Sequence, residues 1–241
     1  MILTRIDHVI LAVADLDGSA QLFEQLGLSL TQPMRHKDAA TENQVFFIGN
    51  ESSEFYVELL SVHDRDRALE TGRSDLLRAI DRGGLMRVMM EVDDADEARG
   101  KLGAAGVTIV QDRTVHRDDG SLIGEVLIPE TELFGLDIGL ISYAESLVNR
   151  CSRHAEGGRF RHRLPLLRLD HLAAFVSDLD ATTAAWRSIL GVELSGRVEG
   201  HGMLIHQLQV GDAVLELIAP DVLDSPVATR PLGLASMAAF E

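Results

Sequence analysis

Positive charge is scarce in this chain. Its 241 residues carry 22 Lys and Arg against 38 Asp and Glu, a formal net charge of -16. Nucleic acids and anionic membranes both select basic surfaces, so neither is expected as a main partner. Cysteine is nearly absent as well. Cys151 stands alone, which excludes an intrachain disulfide framework and fits a reducing, cytoplasmic setting. Flanked by Arg150 and Arg153, that thiol reads as an incidental surface residue. No apolar run is long enough to span a membrane, and no secretory leader pattern is visible. What remains is a globular chain, long enough for one large domain or two modest ones.

The chain does contain a phrase used twice. Arg5-Ile6-Asp7-His8-Val9 runs on to Val13-Ala14-Asp15-Leu16-Asp17, and Arg168-Leu169-Asp170-His171-Leu172 runs on to Val176-Ser177-Asp178-Leu179-Asp180. Each copy predicts a strand with alternating faces, then an acidic turn that caps a helix. Each leads to a later strand with a lone carboxylate among apolar residues, Glu58 in Phe55-Tyr56-Val57-Glu58-Leu59-Leu60 and Glu216 in Ala213-Val214-Leu215-Glu216-Leu217-Ile218. A buried carboxylate is too costly to stand unpartnered, so each needs a cation, a proton or a donor.

In chain order the first module predicts β-α-β-β-β. Its helix carries an apolar stripe of Leu22, Phe23 and Leu26 and ends at Gly27, and a polar loop follows with His36 and Lys37. A charged helical connector over 64–82 leads to a second module. There Arg87 stands where the phrase has His8, and Gly139 stands where the first module has Glu58. Residues 146–168 then break the pattern, with Arg150, Arg153, Arg159, Arg161 and Arg163 around Gly157-Gly158. This stretch is expected to be a solvated, protease-sensitive linker; the sharper reading is a docking strip for an anionic ligand or partner. A third module fills 169 to about 218, and residues 230–241 predict the first strand of a fourth, with Met237 at the His position. The division expected is a module pair over 1–145, the linker 146–168, and a third module with part of a fourth over 169–241. His36, His63, His116, His154, His162, His201 and His206 lack matching copies and are expected to be surface residues rather than ligands.

A repeated β-α-β-β-β unit with His on its first strand and Glu on its last resembles the vicinal oxygen chelate superfamily, which includes glyoxalase I, methylmalonyl-CoA epimerase, bleomycin resistance proteins and extradiol dioxygenases. The resemblance implies an α+β fold of paired modules whose curved mixed sheets enclose a cavity. It also implies a divalent metal (Zn, Ni, Fe, Mn or Co) held by His8, Glu58, His171 and Glu216, with Glu58 and Glu216 catalytic. Imidazole and carboxylate with open positions would polarise a substrate carbonyl. On that reading the protein is a lyase, isomerase or epimerase for a small carbonyl or thioester substrate.

Arg87 and Gly139 point elsewhere. A guanidinium binds no metal, and could pair with Glu58 or grip an anionic ligand by its planar fork. The second reading is therefore a metal-free protein that binds or sequesters a small molecule, as the bleomycin resistance members do. Arg87 is expected to face Glu58 across the cavity of the first two modules. The half-paired third module, with an open sheet edge, favours a homodimer.

Overall fold

A computed structural model describes residues 2–36, 40–117 and 119–221, and the backbone of 235–238. Lys37 and most of the strand expected at 230–241 lie outside the described residues.

The acidic turns form as their pattern requires. β1 (Leu3–Ala12) leads through Asp15 into α1 (Leu16–Gln25), and the Asp15 carboxylate accepts from the Gly18 N–H at 3.0 Å. Asp94 caps α4 (Ala95–Ala104) in the same way, and Asp178 caps α6 (Leu179–Leu190). An extended residue with a short acidic side chain satisfies N–H groups that the first helical turn leaves free. After α1 come β2 (Met34–His36), β3 (Thr41–Gly49) and β4 (Glu54–Val62). The connector forms α2 (Arg65–Glu70) and α3 (Ser74–Arg82). The second module runs β5 (Gly84–Val92), α4, β6 (Ile109–His116), β7 (Leu122–Pro129) and β8 (Ile138–Tyr143). Helix α5 (Leu147–Glu156) precedes the third module, which runs β9 (His171–Phe175), α6, β10 (Glu193–Gly200), β11 (Met203–Val210) and β12 (Ala213–Pro220). In every module the last strand pairs parallel to the first. β13 (Ala235–Ala238) then pairs antiparallel to β9, with Met237 opposite Leu172. The class is α+β, built from βαβββ modules in curved mixed sheets.

Compactness cuts across the modules. One unit gathers residues 8–87 and 147–168; the other gathers 1–7, 88–146 and 169–240. β1 contributes to both.

In the first unit the strands run in the order β2-β3-β4-β1. Helix α1 packs on β3 and β4, with Phe23 against Phe46 at 5.3 Å between ring centroids. Its buried stripe is Leu16 and Ala20, continued by Phe23; Leu22 and Leu26 are exposed, against the sequence expectation. The spacing i, i+4, i+7 faces the sheet, and Leu22 and Leu26 fall off it.

The larger correction concerns 146–168. Ten of these residues form α5, whose Arg150 and Cys151 are buried, so the thiol is not a surface residue. Arg150 Nε donates to Glu54 Oε1 at 2.9 Å, and His154 Nδ1 lies 2.7 Å from Glu54 Oε2. The His154 ring rests 4.3 Å from Phe47. His162 bonds the Phe47 carbonyl and accepts from the Ser29 N–H at 2.9 Å. Arg150 looked solvated only because Glu54, its partner, lies about a hundred residues upstream; Arg153, Arg159, Arg161 and Arg163 are exposed, as expected. Burial pushes the Glu54 carboxyl up, but hydrogen bonds from His154 and Arg150 and their charges outweigh it and hold it below the usual value.

In the second unit two strand orders occur, β5-β8-β7-β6 and β10-β11-β12-β9-β13. Asp7 is fully buried; Arg5 bonds it and also donates to Glu91 at 2.7 Å, and Tyr143 donates to it at 2.8 Å. Trp186, fully buried on α6, donates to the Phe134 carbonyl at 2.9 Å, and its ring meets Phe134 edge-on at 5.7 Å. Gly135 follows with φ 73°, and a Cβ there would collide with Val176. His206 is a buried core histidine, 2.8 Å from Thr183 Oγ1, and desolvation with the nearby Arg197 charge lowers its pKa.

Two outcomes follow from these contacts. Changing Arg150 to Met strands a buried carboxylate and should cost about 3–5 kcal/mol in urea unfolding, with the Glu54→Gln/Arg150→Met pair recovering part of it. Because the folded pKa of Glu54 is depressed, its contribution is present above the unfolded value and lost as pH falls through the folded one. The stability gap between the native chain and Glu54→Gln should therefore shrink on acidification from pH 7 towards pH 3. In the other unit, Trp186→Phe leaves the Phe134 carbonyl without its donor and should cost about 1–3 kcal/mol by thermal unfolding. Gly135→Ala should cost at least as much, through strain and overpacking together.

Candidate functional site

The parallel register of β1 and β4 sets His8 opposite Tyr56 and Ile10 opposite Glu58. Alternation puts His8, Tyr56 and Glu58 on the face turned away from α1. The Tyr56 ring stacks on His8, with centroids 4.2 Å apart and planes 14° from parallel. His8 Nε2 lies 3.8 Å from Glu58 Oε2, an ion-pair distance rather than a hydrogen bond. The stronger partner is Asn43 on β3, whose Nδ2 donates to Glu58 Oε1 at 2.6 Å. One carboxylate oxygen is thus fixed by an amide, while the other faces an imidazole across a gap. The Glu58 side chain keeps 13% exposure, so a small molecule can reach it.

A wall closes one end of this face. Tyr56 continues to Phe47 at 5.3 Å, and Phe47 meets His154 and Phe160. α5 and the segment after it therefore bound the site on the side of Glu54.

The third module repeats part of this arrangement. Gln207 on β11 lies opposite Glu216 and donates to its Oε1 at 2.9 Å. His171 turns to Asp170, Nδ1 to Oδ2 at 2.9 Å, and makes no ion pair with Glu216. The amide–carboxylate pair is common to both modules; the approach of His to Glu occurs only in the first.

The second module has neither group. Arg87 does not face Glu58; its Nη2 donates to Asp75 Oδ2 at 3.3 Å, because α3 presents Asp75 beside the start of β5. At Gly139 an added Cβ would come within 2.5 Å of Met89 Sδ and 2.8 Å of Ile128 Cδ1, so apolar side chains occupy the place a carboxylate would need. Among the described residues, no three His, Cys, Asp or Glu side chains gather as metal ligands. A catalytic zinc site takes about three protein ligands with one position open. His8 and Glu58 offer two, and an amide N–H already occupies one oxygen of the carboxylate. Within either unit these donors do not fit a catalytic divalent metal.

Sequence reasoning missed Asn43, Gln207, Phe47, Glu54 and His154. For the two amides a signal existed: each lies on the strand before the carboxylate strand, and a buried carboxylate calls for a donor there. For His154 and Glu54 there was none, since their meeting depends on how α5 folds back.

No helix among the described residues is long and apolar enough to cross a membrane. Among curated proteins, none matches this chain. Two solved structures share its fold over 92% of its length: a hypothetical protein from Staphylococcus aureus, covered over 87% of its own chain (TM-score 0.67, 16% identity), and a mutant of 4-hydroxymandelate synthase from Streptomyces coelicolor, covered over 64% (TM-score 0.64, 18% identity). The methylmalonyl-CoA epimerase of Mycobacterium tuberculosis aligns with 61% of this chain and 93% of its own, at TM-score 0.45 and 20% identity. Residues 168–237 match the model of the glyoxalase/bleomycin resistance protein/dioxygenase superfamily. With residues 6–159 matching the glyoxalase-like domain model, the chain belongs to the glyoxalase-like domain family.

Proposed function

We propose that the β1–β4 face is a metal-free binding site for a small molecule, with Glu58 as its principal acceptor. One observation carries this reading: Glu58 already accepts from the Asn43 amide and is approached by His8, and among the described residues no third metal ligand joins them. A ligand N–H or O–H seated between Glu58 Oε2 and His8 Nε2 would bond the carboxylate directly, while its flat part extends along Tyr56 and Phe47. The gap lets a donor enter without breaking the Asn43 bond. Sequestration of a small molecule that carries an N–H or O–H donor is the activity this arrangement serves best.

The duplicated His and Glu favour a second reading, in which His8, Glu58, His171 and Glu216 serve a divalent metal and the chain is a lyase, isomerase or epimerase with Glu58 and Glu216 catalytic. The two readings separate on metal content and on thermal shift. Protein purified without added metal should hold less than stoichiometric Zn, Ni, Fe, Mn or Co, and none of these should raise its melting point. A thermal-shift screen of small compounds that carry an N–H or O–H donor should give ligands that Glu58→Gln binds about 10- to 100-fold more weakly, the range for a hydrogen bond to a charged group. Stoichiometric metal that disappears in His8→Ala and Glu58→Gln would replace the first reading with the second.

The order of the modules along the chain is in keeping with a division into a module pair over 1–145, an Arg-rich segment over 146–168 and a third module with the first strand of a fourth over 169–241. Strand β13 ends the five-stranded order, and a sheet edge there suits pairing with a second copy. Light scattering at micromolar concentration should give the mass of a homodimer; a strict monomer would refute that assembly.

A further inference from the structure

The turn between β3 and β4 and the segment after α5 border an open cleft of about 560 Å³, with residues 49–52 on one side and Ala155, Phe160 and Arg161 on the other. Each side is set by its own stretch of chain. The turn closes tightly at Gly49, where a Cβ would come within 2.1 Å of the Ser53 carbonyl oxygen. The Asn50 N–H donates to that oxygen at 2.8 Å, and the Ser52 N–H and hydroxyl both donate to Asn50 Oδ1, at 2.9 and 2.8 Å. The Glu51 carboxylate takes no part in these bonds. On the other side Gly158, at φ 69°, turns the chain after α5, and the Arg161 N–H donates to its carbonyl at 3.1 Å. The Arg161 side chain then lies over Gly158, where an added Cβ would meet Cδ at 3.6 Å and Nε at 3.8 Å. Phe160 stands edge-on to Phe47 and His154, at 6.5 and 6.4 Å between ring centroids.

Glu51 and Arg161 thus line one cleft with opposite charges, yet their side chains pair neither with each other nor with any other described residue. Arginines at the surface elsewhere find an acid: Arg35 takes Glu42, Arg65 takes Asp81 and Arg117 takes Glu145. Two opposite charges that do not reach each other are bridged by a molecule that carries both signs. A simple anion at Arg161 would be repelled by Glu51, and a simple cation at Glu51 by Arg161. A carboxylate matches the guanidinium fork with two parallel hydrogen bonds, and an ammonium matches Glu51. Half-buried Phe160 offers an apolar contact for the remainder of the ligand. The volume lies in the range of small-molecule clefts.

We infer that this cleft binds a zwitterionic amino acid with an apolar side chain, its carboxylate on Arg161, its ammonium on Glu51 and its side chain against Phe160. None of His8, Asn43 and Glu58 lines the cleft, so this site stands or falls apart from the β1–β4 reading.

Saturation-transfer NMR titration with L-leucine, N-acetyl-L-leucine, isoamylamine and glycine tests this. Leucine should bind saturably, in the millimolar range, because both charges on the protein stay in contact with water. N-acetyl-leucine lacks the ammonium, isoamylamine the carboxylate and glycine the side chain, and each should bind more weakly. Arg161→Met and Glu51→Gln should each weaken leucine about 2- to 5-fold, the range for an exposed ion pair. Glu51→Gln should also erase the preference for leucine over N-acetyl-leucine, and Arg161→Met the preference over isoamylamine, which a mere change of cleft shape would not do selectively. Both positions are exposed, and circular dichroism should show the fold unchanged in each variant. Glu58→Gln should leave leucine binding as it was. The inference is overturned if leucine does not bind saturably, if N-acetyl-leucine and isoamylamine bind as tightly as leucine, or if the preferences survive both substitutions.

Discussion

The carboxylate taken out of water is the constraint on which this structure turns. Four of the chain's 38 Asp and Glu show how its sheets answer an acid drawn out of water. Asp7, Glu54, Glu58 and Glu216 all sit on strands, and each is answered by a donor of different character. Asp7 has a guanidinium and a phenol; Glu54 has a guanidinium and an imidazole; Glu58 and Glu216 have neutral amides. The difference matters because a buried ion pair is self-contained, whereas a carboxylate held by one amide keeps lone pairs for a further donor. Glu54 and Asp7 are thereby structural. Glu58 has the capacity to do something else.

The same constraint separates the modules. The second has no Glu on its last strand and so needs no donor on the neighbouring strand; Met89 and Ile128 lie where a Cβ at Gly139 would point. An apolar corner needs no counter-ion, and Arg87 pairs with Asp75 on α3. In the third module the amide stands with Glu216, but His171 turns to the acid next to it in sequence. The strand frame tolerated all three outcomes, because alternation and the parallel first-to-last pairing do not depend on which polar groups the face carries.

What could be read beforehand divides along the same line. Strand alternation, acidic caps and module order are local, and they were legible from Asp15, Asp94 and Asp178 and from the spacing of the apolar residues. That His8 stands on a first strand and Glu58 on a last strand was legible too. Three kinds of contact were not. The stripe of α1 was misplaced because Leu22 and Leu26 look apolar but fall off the arc that faces β3 and β4. Arg150 looks solvated until Glu54 is seen to be buried, and no local pattern says where α5 will fold. Arg87 pairs with the helix before its strand rather than with the sheet, and that choice rests on a turn made by two glycines with positive φ.

Catalysis by a divalent metal and retention of a ligand ask opposite things of Glu58. A metal needs the carboxylate stripped of other donors and at least one more protein ligand nearby. A ligand that brings its own hydrogen needs the carboxylate oriented, partly shielded and still unsatisfied. Asn43 orients it, Tyr56 stacked on His8 shields it, and the 3.8 Å separation from His8 leaves it unsatisfied. Every one of these features weakens a metal site and strengthens a receptor for a neutral or weakly acidic hydrogen-bond donor.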